Sequence, residues 1–345
     1  DMSSWLLMGL PGLAYLTGIA DAGWTAIGLA IGTYVNWLIV AKRIRLYSHT
    51  ANNSITIPDF FHNRFRDKSG VLMSLSALVI LIFFVPYTAS GFAACGKLFS
   101  SLFGVDYFWA MVISAIIIVG YTATGGFLAA STTDFIQSII MSVALIVVLG
   151  FGIYTAGGLD AVMDNARALP GYFSMSLTHN PQTGTAAAYG MLNRVSMLCW
   201  GLGYFGMPHI LLRFMAIEDE KKLGLSRRIA SVWVVISLII GVFIGVVGLA
   251  MTAAGELPAL TGADSETIIV RIADLLSRNG IFFAVLAGLI LAGILASTMS
   301  TADSQLLAAS SSVSENLIQG VLGHQMNAKQ SMYSFHCSHW CFLSP

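Results

Sequence analysis

The chain has 345 residues, of which 56% are hydrophobic and only 10% charged, and its formal net charge is zero. A soluble domain carries about a quarter charged residues, so this composition, with a mean hydropathy of +0.78, cannot cover a soluble surface and reads as integral membrane. The charge balance carries no nucleic-acid signal. The four cysteines, Cys95, Cys199, Cys337 and Cys341, form neither a disulfide framework nor a metal-ligand spacing.

The chain opens on "DMSSWLLMGLPG", with no initiator Met and no signal peptide, and reads as starting inside a longer protein. Residues 4–18 are too short to span and hold "GLPG", which predicts half of an interrupted helix. Spans of about 20 apolar residues are expected at 22–41, 72–100, 106–125, 131–156, 190–212, 229–254 and 277–299, the last continuing as a more polar helix to about 318. These runs are too long and too rich in Ala, Leu, Ile and Gly for strands.

In the 42–71 connection, "TIPDFF" predicts a short helix with Pro58 in its first turn and Thr56 as cap. An amphipathic interfacial helix and an ordered loop both fit that stretch. The 42–71 loop carries Lys42, Arg43, Arg45, Arg64, Arg66 and Lys68, and the 213–228 loop carries Arg213, Lys221, Lys222, Arg227 and Arg228. The loops at 157–189 and 255–276 hold only Arg167 and Arg271. With direction alternating at each span, the two basic loops share one side, which the positive-inside rule makes cytoplasmic. Residues 327–345 lose all periodicity and read as an out-of-frame or disordered tail.

Three stretches draw attention for chemistry. "WGLGYFGMPH" at 200–209 carries three glycines and a proline inside a span. Spaced by four, Trp200, Tyr204 and Pro208 share one helical face. Backbone freed by Gly and Pro must find partners in protein, water or ligand, because lipid offers none. A glycine-rich packing helix is the competing reading. In "ASTMSTADSQLL", Ser297, Ser300, Thr301 and Ser304 line one helix face; their oxygens are hard ligands suited to an alkali cation, or they bond neighbouring helices at about 1 kcal/mol each. At the start, Asp1, Ser3, Ser4 and Trp5 suggest a site at a helix break, or else a plain capped N-terminus. Asp134 follows "STT" and reads as a helix-start residue, Asp303 is a candidate intramembrane acid, and His209 reads as a packed residue. No nucleophile–base pair, phosphate loop or nucleotide fingerprint appears, so an enzyme is not expected.

Together, "DMSSWLLMGLPG", "FFVPYTASG", "WGLGYFGMPHILLRFMA" and "MSTADSQLL" resemble the sodium/solute symporter family, along approximately 1–325. The resemblance implies an all-α integral membrane fold of two inverted five-helix repeats with broken helices, truncated at both ends. It implies a transmembrane core at 1–326, with the first repeat at about 1–156 and the start of the second at about 190–318. By the same resemblance Ser3, Trp5, Tyr87, Trp200, Tyr204 and Pro208 face a solute site. Ser300 and Thr301 match the sodium-binding hydroxyls, Ser297 stands where the family offers a backbone carbonyl, and Asp1 and Met2 match the sodium-linked start of the first broken helix. The implied activity is symport of sodium ion and L-proline across a bacterial inner (cytoplasmic) membrane. Pantothenate or another small carboxylate is the alternative cargo, and a membrane sensor input module the alternative class. A chain lacking the helices that the resemblance places before residue 1 and after 326 is not expected to transport on its own.

Overall fold

A computed structural model describes residues 3–321. Asp1, Met2 and the 327–345 tail lie outside the described residues. Among the described residues, six helices are long and apolar enough to cross a membrane, at Ile19–Thr50, Val71–Phe103, Tyr107–Leu128, Ala130–Thr155, Glu220–Ala253 and Ile281–Val321. A bent pair, Met191–Phe205 and Pro208–Met215, makes a seventh span with a 44° break. The molecule is thus a multi-pass membrane protein whose spans are all helical, and each expected span has its helix. The two central helices are separated by a kink at Gly126, whose φ of 59° only glycine adopts without strain.

The first helix, Trp5–Thr17, runs through the middle of the bundle. Leu6, Leu10 and Ala14 are wholly buried on it. In lipid, helices gain little from hiding apolar surface, and close van der Waals approach holds them together instead. Glu220–Ala253 supplies that approach with glycine: a Cβ at Gly245 would stand 2.3 Å from the Pro11 carbonyl oxygen. Ile281–Val321 closes the other flank against Val71–Phe103 and the 107–155 pair.

The two ends of the bundle differ. At one end the basic connections meet, where Arg45 Nη2 lies 3.5 Å from the Glu218 carbonyl. The short helix Ile57–Phe65 sits there, capped as its sequence predicts by Thr56 Oγ1 accepting from Asp59 N at 3.2 Å. At the opposite end the basic-poor connections meet around the first helix. Tyr172 donates its hydroxyl to Ala14 O at 2.8 Å, and Leu260 N donates to Tyr15 Oη at 3.1 Å. Burial pushes the Tyr172 phenol well above its ordinary pKa, so it stays a donor there.

The loops hold more structure than their sequence predicts. Residues 157–189 contain a helix, Leu159–Ala168, and an antiparallel hairpin pairing Leu177–Asn180 with Thr185–Ala188. Residues 255–276 contain a 3₁₀ turn, Gly262–Thr267, leading into the helix Ile268–Ser277. Ile268, Ile272 and Ala273 are fully buried against the core.

Candidate functional site

The break at 199–207 is built by tight winding followed by a stop. Cys199–Phe205 is 3₁₀-helical, the chain leaves helical geometry at Gly206 and Met207, and Pro208 starts the next helix at its first position. Each glycine of the quoted run has a distinct task. Gly201 lies against the face of Ile19–Thr50 that carries Gly28 and Gly32, and a Cβ there would fall 1.9 Å from Gly28 O. Gly203 and Gly206 have nothing within 4 Å of where a Cβ would stand. The Tyr204 carbonyl, released by the 3₁₀ winding, accepts from Asn36 Nδ2 at 2.8 Å. That partner satisfies the backbone group which lipid could not.

The 3₁₀ segment forms one wall of a cavity of about 720 Å³. The first helix forms the facing wall with Ser3, Ser4, Trp5, Met8 and Gly9. Trp5 folds over Gly9, where any Cβ would strike the indole at 2.6 Å. Its ring meets that of Trp200 at 5.3 Å between centroids, with planes at 33°. Tyr87 closes a third side, and Tyr204 a fourth. Ser3, Trp5, Tyr87, Trp200 and Tyr204 are therefore gathered around one space.

Pro208 is buried but does not line this space; Met207, His209 and Ile210 do. The reason is geometric. The i, i+4 face holds only along one continuous α-helix, and the break at 206–207 lies between Tyr204 and Pro208. His209 packs edge-on against Phe84 at 5.3 Å, as a buried packing residue.

The hydroxyl cluster stands on the next wall. Thr301 lines the cavity, while Ser300 and Ser297 lie behind it, at 2% and 0% exposure. Ser300 Oγ and Thr301 Oγ1 both donate to the Ser297 carbonyl, at 3.1 and 3.3 Å. The Ser297 side chain itself turns away to donate to Ile294 O at 2.7 Å. Only its carbonyl faces the pair, so three oxygens converge at one point beside the cavity. No cluster of three or more His, Cys, Asp or Glu side chains suited to a metal exists among the described residues. A cation here would rest on neutral oxygens, the hard set that alkali ions take.

Several functional neighbours escape the sequence reading. Gln305, one turn beyond Thr301, lines the cavity at 1% exposure; its Oε1 accepts from Thr88 Oγ1 at 3.3 Å and its Nε2 has no partner among the described residues. The i+4 spacing from Thr301 carried that signal. Lys97 and Glu266 are the formally charged side chains on the wall, joined at 2.7 Å. Asp134 is not a cap: it pairs with Arg213. Arg213 Nη2 also donates to Ser304 Oγ at 2.6 Å. Ser304 Oγ lies 3.2 Å from Asp303 Oδ1, and Tyr121 donates to Asp303 Oδ2 at 3.0 Å. Five polar side chains thus pair with one another within the apolar bundle, although Asp134 Oδ1 and Arg213 Nε have no partner among the described residues.

Comparison with known proteins places this geometry. The Sodium:solute symporter family profile matches residues 1–343. "Sodium/proline symporter 2" of Staphylococcus saprophyticus is 40% identical over 323 residues, which is 94% of this chain and 60% of that relative. The "Sodium/proline symporter" of Staphylococcus aureus is 39% identical over 325 residues, with the same two shares of 94% and 60%. The chain therefore spans about three-fifths of the length of these curated relatives. Among solved structures, that described as the substrate-bound outward-open state of a Na+-coupled sialic acid symporter superposes with a TM-score of 0.81 at 17% identity, covering 99% of this chain and 69% of that one. At that identity the likeness speaks for the fold.

Proposed function

From the premise that the chain belongs to the sodium:solute symporter family, we propose that it carries the solute and ion sites of a sodium-coupled symporter for L-proline. The observation that carries this reading is one cavity walled by Trp5 from the start of the first helix on one side and by Trp200 with Tyr204 from the 199–207 break on the other, beside the Ser297–Ser300–Thr301 oxygens. The relatives named sodium/proline symporters support the choice of cargo.

The chemistry fits a small, half-apolar zwitterion. Aromatic faces of Trp5, Trp200, Tyr87 and Tyr204 exclude water from a pyrrolidine ring. The Gln305 amide hydrogens offer donors to a carboxylate. Sodium would sit on the Thr301 and Ser300 hydroxyls and the Ser297 carbonyl, completed by groups at Asp1 and Met2. Binding there ties Ile281–Val321 to the start of the first helix, which holds Ser3 and Trp5 in position for the solute. By linkage, solute strengthens sodium binding by the same factor. The sodium gradient then drives uphill uptake, and no covalent step is involved.

We assign the first inverted repeat to about 1–156 and the start of the second to about 190–318. The bacterial relatives and the basic loops support placement in a bacterial inner membrane with 42–71 and 213–228 on the cytoplasmic side. Uptake of labelled L-proline into vesicles holding the intact protein, with and without a sodium gradient, tests the proposal. Sodium-dependent accumulation is expected, and uptake indifferent to sodium overturns it.

A further inference from the structure

Two membrane-crossing helices meet along a seam at the basic end of the bundle. Arg227 of Glu220–Ala253 lays its guanidinium over the Tyr34 ring of Ile19–Thr50, 5.5 Å from the centroid. Further out, Arg45 Nη2 lies 3.5 Å from the Glu218 carbonyl oxygen. Going from Tyr34 to Arg45 on one helix thus matches going from Arg227 back to Glu218 on the other, so the two run antiparallel in one register. Lys42 and Arg43 fall between these pins on the first helix and Lys221 on the second, with Arg228 just inside, and all four are exposed.

The charged groups of these four residues have no partner among the described residues. Arg227 is half-buried, held by the Tyr34 ring, and its Nε–H is also unpartnered. The acids of the seam do little to offset them. Glu218 is spent on Lys222 Nζ at 2.6 Å, and Asp219 accepts from the Lys221 backbone N at 2.9 Å. Glu220 is exposed. Lys42, Arg43, Lys221, Arg227 and Arg228 therefore leave a clear positive excess.

Toward the membrane centre the same faces turn apolar. Ile31, Tyr34 and Leu38 are exposed on one helix, and Leu225, Ile229 and Val232 on the other, each set at helical spacing. A surface basic at one level and apolar at the next fits an amphiphile with an anionic head. Guanidinium groups grip phosphate oxygens in pairs, and the long stems of Arg and Lys let their heads rise to headgroup level. We propose that this seam binds an anionic phospholipid of the cytoplasmic leaflet, its headgroup phosphate on Arg43, Arg227 and Arg228 and its acyl chains along Leu38 and Ile229. A zwitterionic headgroup brings its own ammonium, which the cluster repels, so the site selects by net charge. The site goes beyond the transport reading: it rests on the placement of this end of the bundle and on no assumption about cargo.

Native mass spectrometry of the intact protein in detergent tests it, with phosphatidylglycerol or phosphatidylcholine of the same acyl chains added. One phosphatidylglycerol is expected to stay bound at concentrations where phosphatidylcholine does not. Arg43→Gln and Arg228→Gln are each expected to weaken its retention about 5-fold, and together roughly 30-fold. Lys68→Gln, a basic position of the same end outside the seam, is expected to change nothing. Glycerophosphoglycerol, the same headgroup without chains, is not expected to compete. Equal retention of the two lipids overturns the site, as does equal loss in Lys68→Gln and the seam variants. Competition by the chainless headgroup at matched concentration overturns the lipid as its occupant. Should the double variant fail to fold, the wild-type comparison of the two lipids decides alone. None of these arms measures solute uptake, so their failure leaves the proline reading where it stood.

Discussion

Thr301 and Tyr204 border the same cavity and are expected to fail in different ways. Thr301 Oγ1 is held at 3.3 Å from Ser297 O, so its lone pairs are fixed in direction. A hydrogen-bond-sized interaction with a charged partner is worth about 1.5–3 kcal/mol, about 10- to 150-fold in affinity. Thr301→Ala is therefore expected to raise the sodium concentration for half-maximal uptake by that range. Membrane abundance should hold, because Ala is the better helix former. An unchanged sodium dependence would remove the hydroxyl from the ion site. Tyr204 gives its ring to the cavity wall and its carbonyl to Asn36. Tyr204→Ala keeps the carbonyl and loses the ring, so L-proline affinity is expected to fall by about 2 kcal/mol, roughly 30-fold. Titration of the purified variant with labelled L-proline reads that directly, and wild-type affinity would make the ring a packing group only.

At the scale of elements, the 3₁₀ segment is seated by glycine. A Cβ at Gly201 meets backbone at 1.9 Å, and backbone cannot step aside as a side chain can. Gly201→Ala is expected to push the segment off Ile19–Thr50 and to weaken solute affinity even at saturating sodium, where Thr301→Ala is expected to retain it. Gly203→Ala, with open space at its Cβ position, is expected to leave membrane abundance intact. Comparing both uptake constants across the two variants checks this, and equal behaviour would refute the close-approach account. The same elements show what a sequence can reveal. The spans were readable because each is a long apolar run, and the break because Gly201, Gly203, Gly206 and Pro208 all weaken one helix. The hairpin was hidden because Thr185–Ala188 is wholly exposed and has no alternating pattern. The Ile268–Ser277 helix was hidden because it is too short to span, although one face is buried. Pairing of Asp134 with Arg213 has no local signature at all, since 79 residues separate them. Asn36 could have been suspected, as a lone amide in an apolar run.

For the whole molecule, the two ends are distinguished by charge and by contact alike. Arg45 beside Glu218 O joins the basic connections, and Tyr15 with Tyr172 joins the others. A membrane-impermeant maleimide applied to intact cells is expected to label Gln182→Cys in the hairpin turn and to spare Lys68→Cys and Lys221→Cys. Labelling of either lysine position from outside would invert the topology.

The link between Asp134 and Arg213 also sets an order of events during biogenesis. Arg213 follows the end of the Ala130–Thr155 helix by 58 residues, which take about 3–12 s to synthesise at ~5–20 residues per second. Throughout that interval the Ala130–Thr155 helix is complete, while the guanidinium that will meet its acid has yet to leave the ribosome. A lone carboxylate in hydrocarbon is expensive, so the helix has reason to wait in a hydrated setting, at the insertion machinery or near the lipid headgroups. Final seating then coincides with the arrival of Pro208–Met215. The ion pair is thereby expected to act as an assembly checkpoint: with the ribosome arrested before Arg213, a cysteine placed beside Asp134 is expected to react with a water-soluble maleimide, and to be shielded once Arg213 has been made.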